Sequence, residues 1–405
     1  EIIMRNSMGS DGAAAACGAL AALAAVSVWR QLKKHQKKST DDDDESPHAK
    51  ARANLWRAIG GAMTSAQLYL GDRLGLYEAL RELCADGRST TCVALAKRTG
   101  TQPRWVREWL NQQAAAGFVV LLDGVGDGDD DLRYTFEAAY ADVLADPTHP
   151  EYNVAMVQLI PCLVARAKTA LPEAFRTGIG VSYNDPDISE AIDRNHTFHI
   201  NEHFLKVVCP GSPAAHKMLE AGCKVADLGC GGGNLTFALA KHYPSIKVEG
   251  YEVSSEALTV AAFNLGKNKT LKNRVSFKDA REQPLGDSGP FDVVTTLDVL
   301  HDATDPAELI RQVKKSLKPG GVWLLADIAC LGSSRENVKS NPAAALMYGF
   351  STCLCLASAL SEPGGAGLGT LGFTRDIAHK MIVEDAGFTS LRVISEADNT
   401  RWFEV

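Results

Sequence analysis

Apolar residues recur at helical spacing from Ala49 onward, at Leu55, Ile59, Met63, Leu68 and Leu70, then at Leu74, Leu76, Leu80 and Leu83. Positions three and four apart share a helix face, so this pattern predicts two helices, broken near Gly71. A short helix with Val93 and Leu95 leads through Thr99, Gly100 and Thr101 to another carrying Trp105, Val106, Trp109 and Leu110 and ending at Gly117. Two apolar runs, 118–122 and 133–136, flank a Gly/Asp loop, as two strands around a tip do. Helix, turn, helix and strand pair predict a winged helix.

Beyond residue 216 the period changes. Short apolar runs at 224–228, 248–252, 275–277, 291–298 and 322–325 alternate with helical stretches, and two more runs, 391–394 and 401–405, follow a helix at 377–386. Strands that alternate with helices predict a doubly wound α/β fold with a mainly parallel sheet. The apolar stretch 341–360, with Met347, Tyr348, Phe350, Cys353 and Cys355, precedes a glycine-rich run at 363–369. It reads equally as a lid on a hinge or as core packing. The expected organisation is a leader and linker at 1–47, a winged-helix domain at 48–150, a helical connector at 151–215 and the sheet domain at 216–405.

Of the 405 residues, 45% are hydrophobic and 22% charged, which excludes wholesale disorder. The net charge of −7 gives no chain-wide attraction to phosphate backbones. The 10 cysteines show no CxxC pairing, which reads as reduced thiols. Residues 13–29 form an Ala-rich apolar run, a marginal candidate for a membrane anchor, and the basic residues Arg30, Lys33, Lys34, Lys37 and Lys38 follow it. By the positive-inside rule that flank leaves the bulk of the chain in the cytosol. The acidic run 41–45 is a solvated linker.

The most informative segment runs from Lys224 to Leu235. A strand ending in Asp227 and Leu228 turns through Gly229, Cys230, Gly231, Gly232 and Gly233, giving the pattern DxGxGxG. Glycines there let backbone approach a ligand closely. About 20 residues past such a loop a strand-end carboxylate is placed to accept ribose hydroxyls, and Glu252 fills that position. The order of motifs resembles class I S-adenosylmethionine-dependent methyltransferases over roughly residues 216–405. The resemblance implies a seven-stranded Rossmann-like sheet with an antiparallel seventh strand. It also implies S-adenosylmethionine as cofactor, held by Asp227, Gly229, Cys230, Gly231, Gly233, Glu252, Asp279, Ala280 and Asp298. Asp279 and Ala280 stand where that family receives the adenine. With the winged helix, the chain is similar to bacterial two-domain methyltransferases often labelled transcriptional regulators, whose small-molecule relatives use the winged helix to dimerise. A homodimer and a small-molecule acceptor follow, with oxygen favoured over nitrogen or sulfur.

Methyl transfer from a sulfonium needs mainly alignment, and a base only for weak nucleophiles. Plant-type O-methyltransferases resemble the stretch 300–307, but Ala307 stands where their catalytic histidine belongs. His301 and Asp298, at the carboxyl edge of the sheet, are the catalytic candidates; a structural His301 capping the next helix is the rival. His196, His199 and His203 share a helical face and, with Tyr348, are candidates for the substrate pocket. The run 199–203 spells HxxEH, an order known from zinc sites, but the implied cofactor needs no metal and none is expected. A ligand-sensing or DNA-binding regulator is the alternative, resting on Lys97, Arg98, Arg104 and Arg107. The acidic wing, with Asp123, Asp127, Asp129, Asp130 and Asp131, repels phosphates and argues against DNA.

Overall fold

A computed structural model describes residues 46–123, 128, 131–397 and 399–405. The apolar run 13–29, the basic flank, the acidic run 41–45 and Asp127, Asp129 and Asp130 of the wing lie outside the described residues. Contacts divide the chain into two units, residues 1–63 and 64–405. The described part of the first belongs to helix Pro47–Arg73, on which Leu55, Trp56, Ile59 and Met63 are exposed.

The second unit opens with the rest of that helix, then Leu76–Leu83, Cys92–Thr99 and Pro103–Ala115. Thr91 caps Cys92–Thr99 by accepting from the Ala94 amide at 3.2 Å, and Pro103 starts the next helix where no amide donor is needed. The helix break predicted at Gly71 falls instead at Leu74–Gly75. Gly71 lies inside the helix, and a Cβ there would meet the rings of Tyr77 and Trp109 at 2.5 and 2.6 Å. It serves close packing, not a turn. The two strands expected to form a wing are only two residues each, β1 (Val120–Leu121) and β2 (Tyr134–Thr135), paired antiparallel. Tyr77, Leu80, Leu95, Leu110 and Tyr134 make the core of this region.

The sheet domain contains β3 (Lys224–Leu228), β4 (Lys247–Glu252), β5 (Val275–Asp279), β6 (Phe291–Leu297), β7 (Leu317–Ile328), β8 (Arg392–Ala397) and β9 (Thr400–Glu404). Their order is β5-β4-β3-β6-β7-β9-β8, with β9 antiparallel to both neighbours. The doubly wound expectation and its antiparallel last strand are both met. Helices cover both faces, which is why Val225, Ala226, Val293, Val294, Leu324 and Leu325 are fully buried. The chain winds in opposite directions on either side of β3 and β6, and that reversal opens a crevice at their carboxyl ends.

Residues 344–359 form one continuous helical stretch, Ala344–Phe350 and Leu356–Ala359 joined by wider turns at Ser351–Cys355. Leu354 and Cys355 pack with Leu159, Leu163, Ile188 and Ala191. The amides of Gly180 and Val181 donate to Leu360 and Ala357 at 2.7 and 2.8 Å. Of the two readings of this stretch, core packing is the one the contacts bear out. No helix among the described residues is long and apolar enough to cross a membrane.

Candidate active site

The loop after β3 takes its shape from glycines at positive φ, 73° at Gly229, 53° at Gly231 and 90° at Gly233. A side chain would be strained at each. At Gly233 a Cβ would also meet the rings of Phe277 and Phe237 at 2.6 and 2.8 Å. The amides of Gly229 and Cys230 donate to the Tyr251 carbonyl at 2.8 and 3.1 Å, tying the loop to β4. Glu252, at the tip of β4, accepts from the Gly231 amide at 3.0 Å and from Val253 and Ser254 at 2.7 and 2.9 Å. A carboxylate has about four acceptor positions, so Glu252 organises the loop and still has capacity for a hydroxyl. Glycine loop and carboxylate together fit a nucleoside cofactor with an extended amino acid end.

Three expected cofactor contacts are engaged inside the chain. Asp227 is 2% exposed and accepts from the hydroxyls of Thr236 and Thr295 at 2.6 and 2.9 Å. Burial raises its pKa to about 6 against those bonds. It braces the loop from beneath. Asp279 is taken up by Arg281 at 2.6 and 3.0 Å, which holds its pKa at about 2, and the Ala280 amide donates to the Glu252 carbonyl at 2.9 Å. Both lie at the carboxyl end of β5, the position expected of the adenine contact, and both are partly exposed.

Sequence reasoning missed Asp193. It sits on helix Pro186–Phe198, and a Cβ on Gly232 would overlap its carboxylate. Asn234 donates its side-chain amide to the Asp193 carbonyl at 2.6 Å and to the Thr197 hydroxyl at 2.9 Å, locking helix to loop. Burial pushes the Asp193 pKa to about 7, opposed by His196 and the Gly232 amide and reinforced by Glu252 and Asp227. A carboxyl raised this way contributes fully below its ordinary pKa, and that contribution is lost as pH rises through about 7. Asp193→Asn is therefore expected to gain stability on its parent as pH rises from about 4 to about 8, by at most about 4 kcal/mol. Urea unfolding at both pH values checks this, and a pH-independent difference would refute it.

At the ends of β6 and β7 lies a second group. Asp298 adopts φ 56°, a conformation that costs a non-glycine residue about 1–3 kcal/mol. One of its oxygens is 3.2 Å from His196 Nε2. Burial opposes its ionisation, but that bond prevails and holds its pKa below the ordinary range. His301, 3% exposed, places Nδ1 2.8 Å from Asp327 Oδ1. Burial disfavours the imidazolium, yet Asp327 overrides it and raises the His301 pKa, with Cys355 beside the ring. Its ring pairs with β7 instead of capping the next helix. Asp302, also buried, is pushed up to about 7.

Of the remaining histidines, His199 and His203 stay stacked with ring centres 5.1 Å apart. His196 reaches Asp298, whereas His199 accepts from Trp402 Nε1 at 3.0 Å and His203 meets the Ser395 hydroxyl at 2.9 Å. The last two pack against β8 and β9, where Trp402 is the register partner of Ala326 near the carboxyl end of β7, and Glu202 pairs with Lys206. The HxxEH run is not gathered round one point. Tyr348 is half-buried, and its hydroxyl has no partner among the described residues. In the amino-terminal region Arg98 and Arg104 are neutralised by Glu82 and Glu108, which removes charge that a duplex would need.

Residues 219–386 match the family model of a methyltransferase domain. Ubiquinone biosynthesis O-methyltransferases are similar over a shorter stretch: that of Psychrobacter arcticus is 34% identical over 110 residues, 27% of this chain and 42% of the relative. That of Pseudomonas aeruginosa is 38% identical over 111 residues, 27% of this chain and 45% of the relative. The chain thus spans less than half the length of these relatives. Among solved structures, human N-acetylserotonin methyltransferase in complex with SAM superposes with a TM-score of 0.63 at 16% identity, covering 90% of this chain and 99% of that one. The mitomycin 7-O-methyltransferase MmcR gives 0.58 at 20% identity, covering 88% and 98%. PigF with SAH gives 0.61 at 18%, covering 87% and 98%. The stretch 219–386 is thus similar in sequence to a methyltransferase domain, and the solved structures share the fold of this chain.

Proposed function

We propose that the chain transfers a methyl group from S-adenosylmethionine to a small-molecule acceptor, with oxygen as the receiving atom. The observation that carries this reading is the glycine turn after β3 with the Glu252 carboxylate fastened to it. Oxygen is favoured because the curated relatives are named O-methyltransferases. The bound cofactor supplies an activated methyl group for in-line displacement. The chain's part is alignment: the glycine turn admits the cofactor's extended end, Glu252 accepts from the ribose, and Asp193 and Asn234 hold the loop against the connector helix. Asp298 and His196 border the acceptor side, while buried His301 orients through Asp327. Ultraviolet cross-linking with methyl-labelled S-adenosylmethionine tests the reading. Label on peptides from 219–386, displaced by S-adenosylhomocysteine, is expected; no specific label overturns it.

A homodimer belongs to the same reading, because Leu55, Ile59 and Met63 form an exposed apolar stripe on helix Pro47–Arg73. Sedimentation at micromolar concentration is expected to give a dimer, and a monomer alone refutes it. Of the described cysteines, Cys84, Cys162, Cys209, Cys223, Cys230, Cys330, Cys353 and Cys355 are free, which favours the cytosol for the catalytic domain. If residues 13–29 anchor the chain to a membrane, removing residues 1–40 releases it into the soluble fraction; full solubility of the intact chain refutes the anchor. Nothing among the described residues of the amino-terminal region favours the regulator alternative.

A further inference from the structure

Resting on the methyl transfer reading, we propose that Arg166 selects a methyl acceptor that carries a carboxylate and docks that group on the connector side of the site. Arg166 lies on helix Ala155–Lys168, where Leu159, Leu163 and Arg166 fall at positions i, i+4 and i+7 and so share one face. Leu159 and Leu163 pack with Leu354 and Cys355 of the stretch 344–359, and Tyr183 joins the same cluster. Cys355 in turn lies beside the His301 ring at the sheet edge. Tyr183 feels the charges of Asp302, Asp298 and Arg166 together. The face that carries Arg166 therefore borders the acceptor side of the site.

Arg166 is a buried charge without a counter-charge. It is 8% exposed, and its Nη2 donates to the Ser182 carbonyl at 2.8 Å, whereas Nη1 is buried with no hydrogen-bond partner among the described residues. It forms no ion pair among the described residues. Buried charges are ordinarily paired, and buried polar groups hydrogen-bonded. Asp185, three residues past Ser182, spends its Oδ1 on the amides of Asp187 and Ile188 as the cap of the next helix. Two more buried polar atoms lack partners among the described residues, Gln158 Oε1 on the helix of Arg166 and the Tyr348 hydroxyl on Ala344–Phe350. The planar guanidinium matches a carboxylate, and Nη1 is the donor left for it. The sheet edge has the opposite sign, since Asp298, Asp302 and Asp327 are all acids. An anionic group is repelled from that edge and drawn to Arg166, so the acceptor enters with its acid on the connector and its hydroxyl toward the cofactor.

The test needs no turnover. Full-length protein saturated with S-adenosylhomocysteine is titrated calorimetrically with hydroxybenzoates and hydroxycinnamates and with the corresponding amides, which keep ring and hydroxyl but lose the charge. At least one acid is expected to bind about tenfold or more tightly than its amide. In Arg166→Gln, which keeps a donor for the Ser182 carbonyl, that preference is expected to fall below about twofold. Arg166→Met, which suits the apolar face beside Leu159 and Leu163, decides the matter if Arg166→Gln does not fold. Affinity for S-adenosylhomocysteine is expected to be the same in parent and variants, which separates this test from that of the methyl transfer reading. No acid preferred over its amide up to millimolar concentration overturns the proposal. So does a preference for the acid that survives the loss of Arg166.

Discussion

Replacement of Glu252 by alanine is expected to weaken binding of S-adenosylhomocysteine about 100-fold or more while leaving the chain folded. Hydrogen bonds to a charged group contribute roughly 1.5–3 kcal/mol each, and in the proposed function a ribose hydroxyl loses its acceptor. The loop suffers as well, since the amides of Gly231, Val253 and Ser254 lose the oxygens they now meet at 3.0, 2.7 and 2.9 Å. The positive φ of Gly231 then has nothing to hold it. Glu252→Gln keeps one acceptor oxygen but turns an amide group on donors, so an intermediate loss is expected. Calorimetric titration with circular dichroism as a folding control measures both variants. Unchanged affinity in Glu252→Ala would remove this carboxylate from the cofactor site.

The largest effect on stability is expected from Trp402→Ala. Trp402 is fully buried in β9, with its ring 4.8 Å from Phe204 and parallel to His199 at 6.0 Å. Its indole nitrogen donates to His199. Truncation leaves a cavity and removes the hydrogen bond to His199 in the seam between the connector and the sheet, at a cost of about 3–5 kcal/mol. Trp402→Phe keeps most of the packing but not the hydrogen bond, so a loss of about 1–2 kcal/mol is expected. Denaturant midpoints report both, and a loss below about 1 kcal/mol in Trp402→Ala would contradict this account of the core.

That seam also explains which parts of the molecule were legible in the sequence. The strands of the sheet announce themselves because both faces are buried: runs such as Phe291, Val293 and Val294 stand out against the polar helices between them. The glycine loop is legible because its backbone conformation is local. The histidine stripe is not. Its spacing placed His196, His199 and His203 on one face, but the partner that claims His199 is Trp402, 203 residues away. The helix also widens into a π-helix over His199–Val208, yet His199 and His203 keep their shared face and stack. Gly71 was misread as a break because a glycine that makes room for Tyr77 and Trp109 looks the same in sequence as one that ends a helix. Asp193 and Asp327 carry no local signature, and tertiary structure alone gives them neighbours. Asp279 was placed correctly at the end of β5, but no spacing rule shows that Arg281, two residues on, occupies its carboxylate.

The central claim is that the turn after β3 and the tip of β4 bind a sulfonium nucleoside and its demethylated product. Isothermal titration of the full-length chain with S-adenosylhomocysteine tests it most directly, because it needs no knowledge of the methyl acceptor. Binding of one molecule per chain at micromolar affinity, competed by S-adenosylmethionine and lost in Glu252→Ala, is the expected result. A folded chain that gives no heat with either ligand up to millimolar concentration would contradict the account.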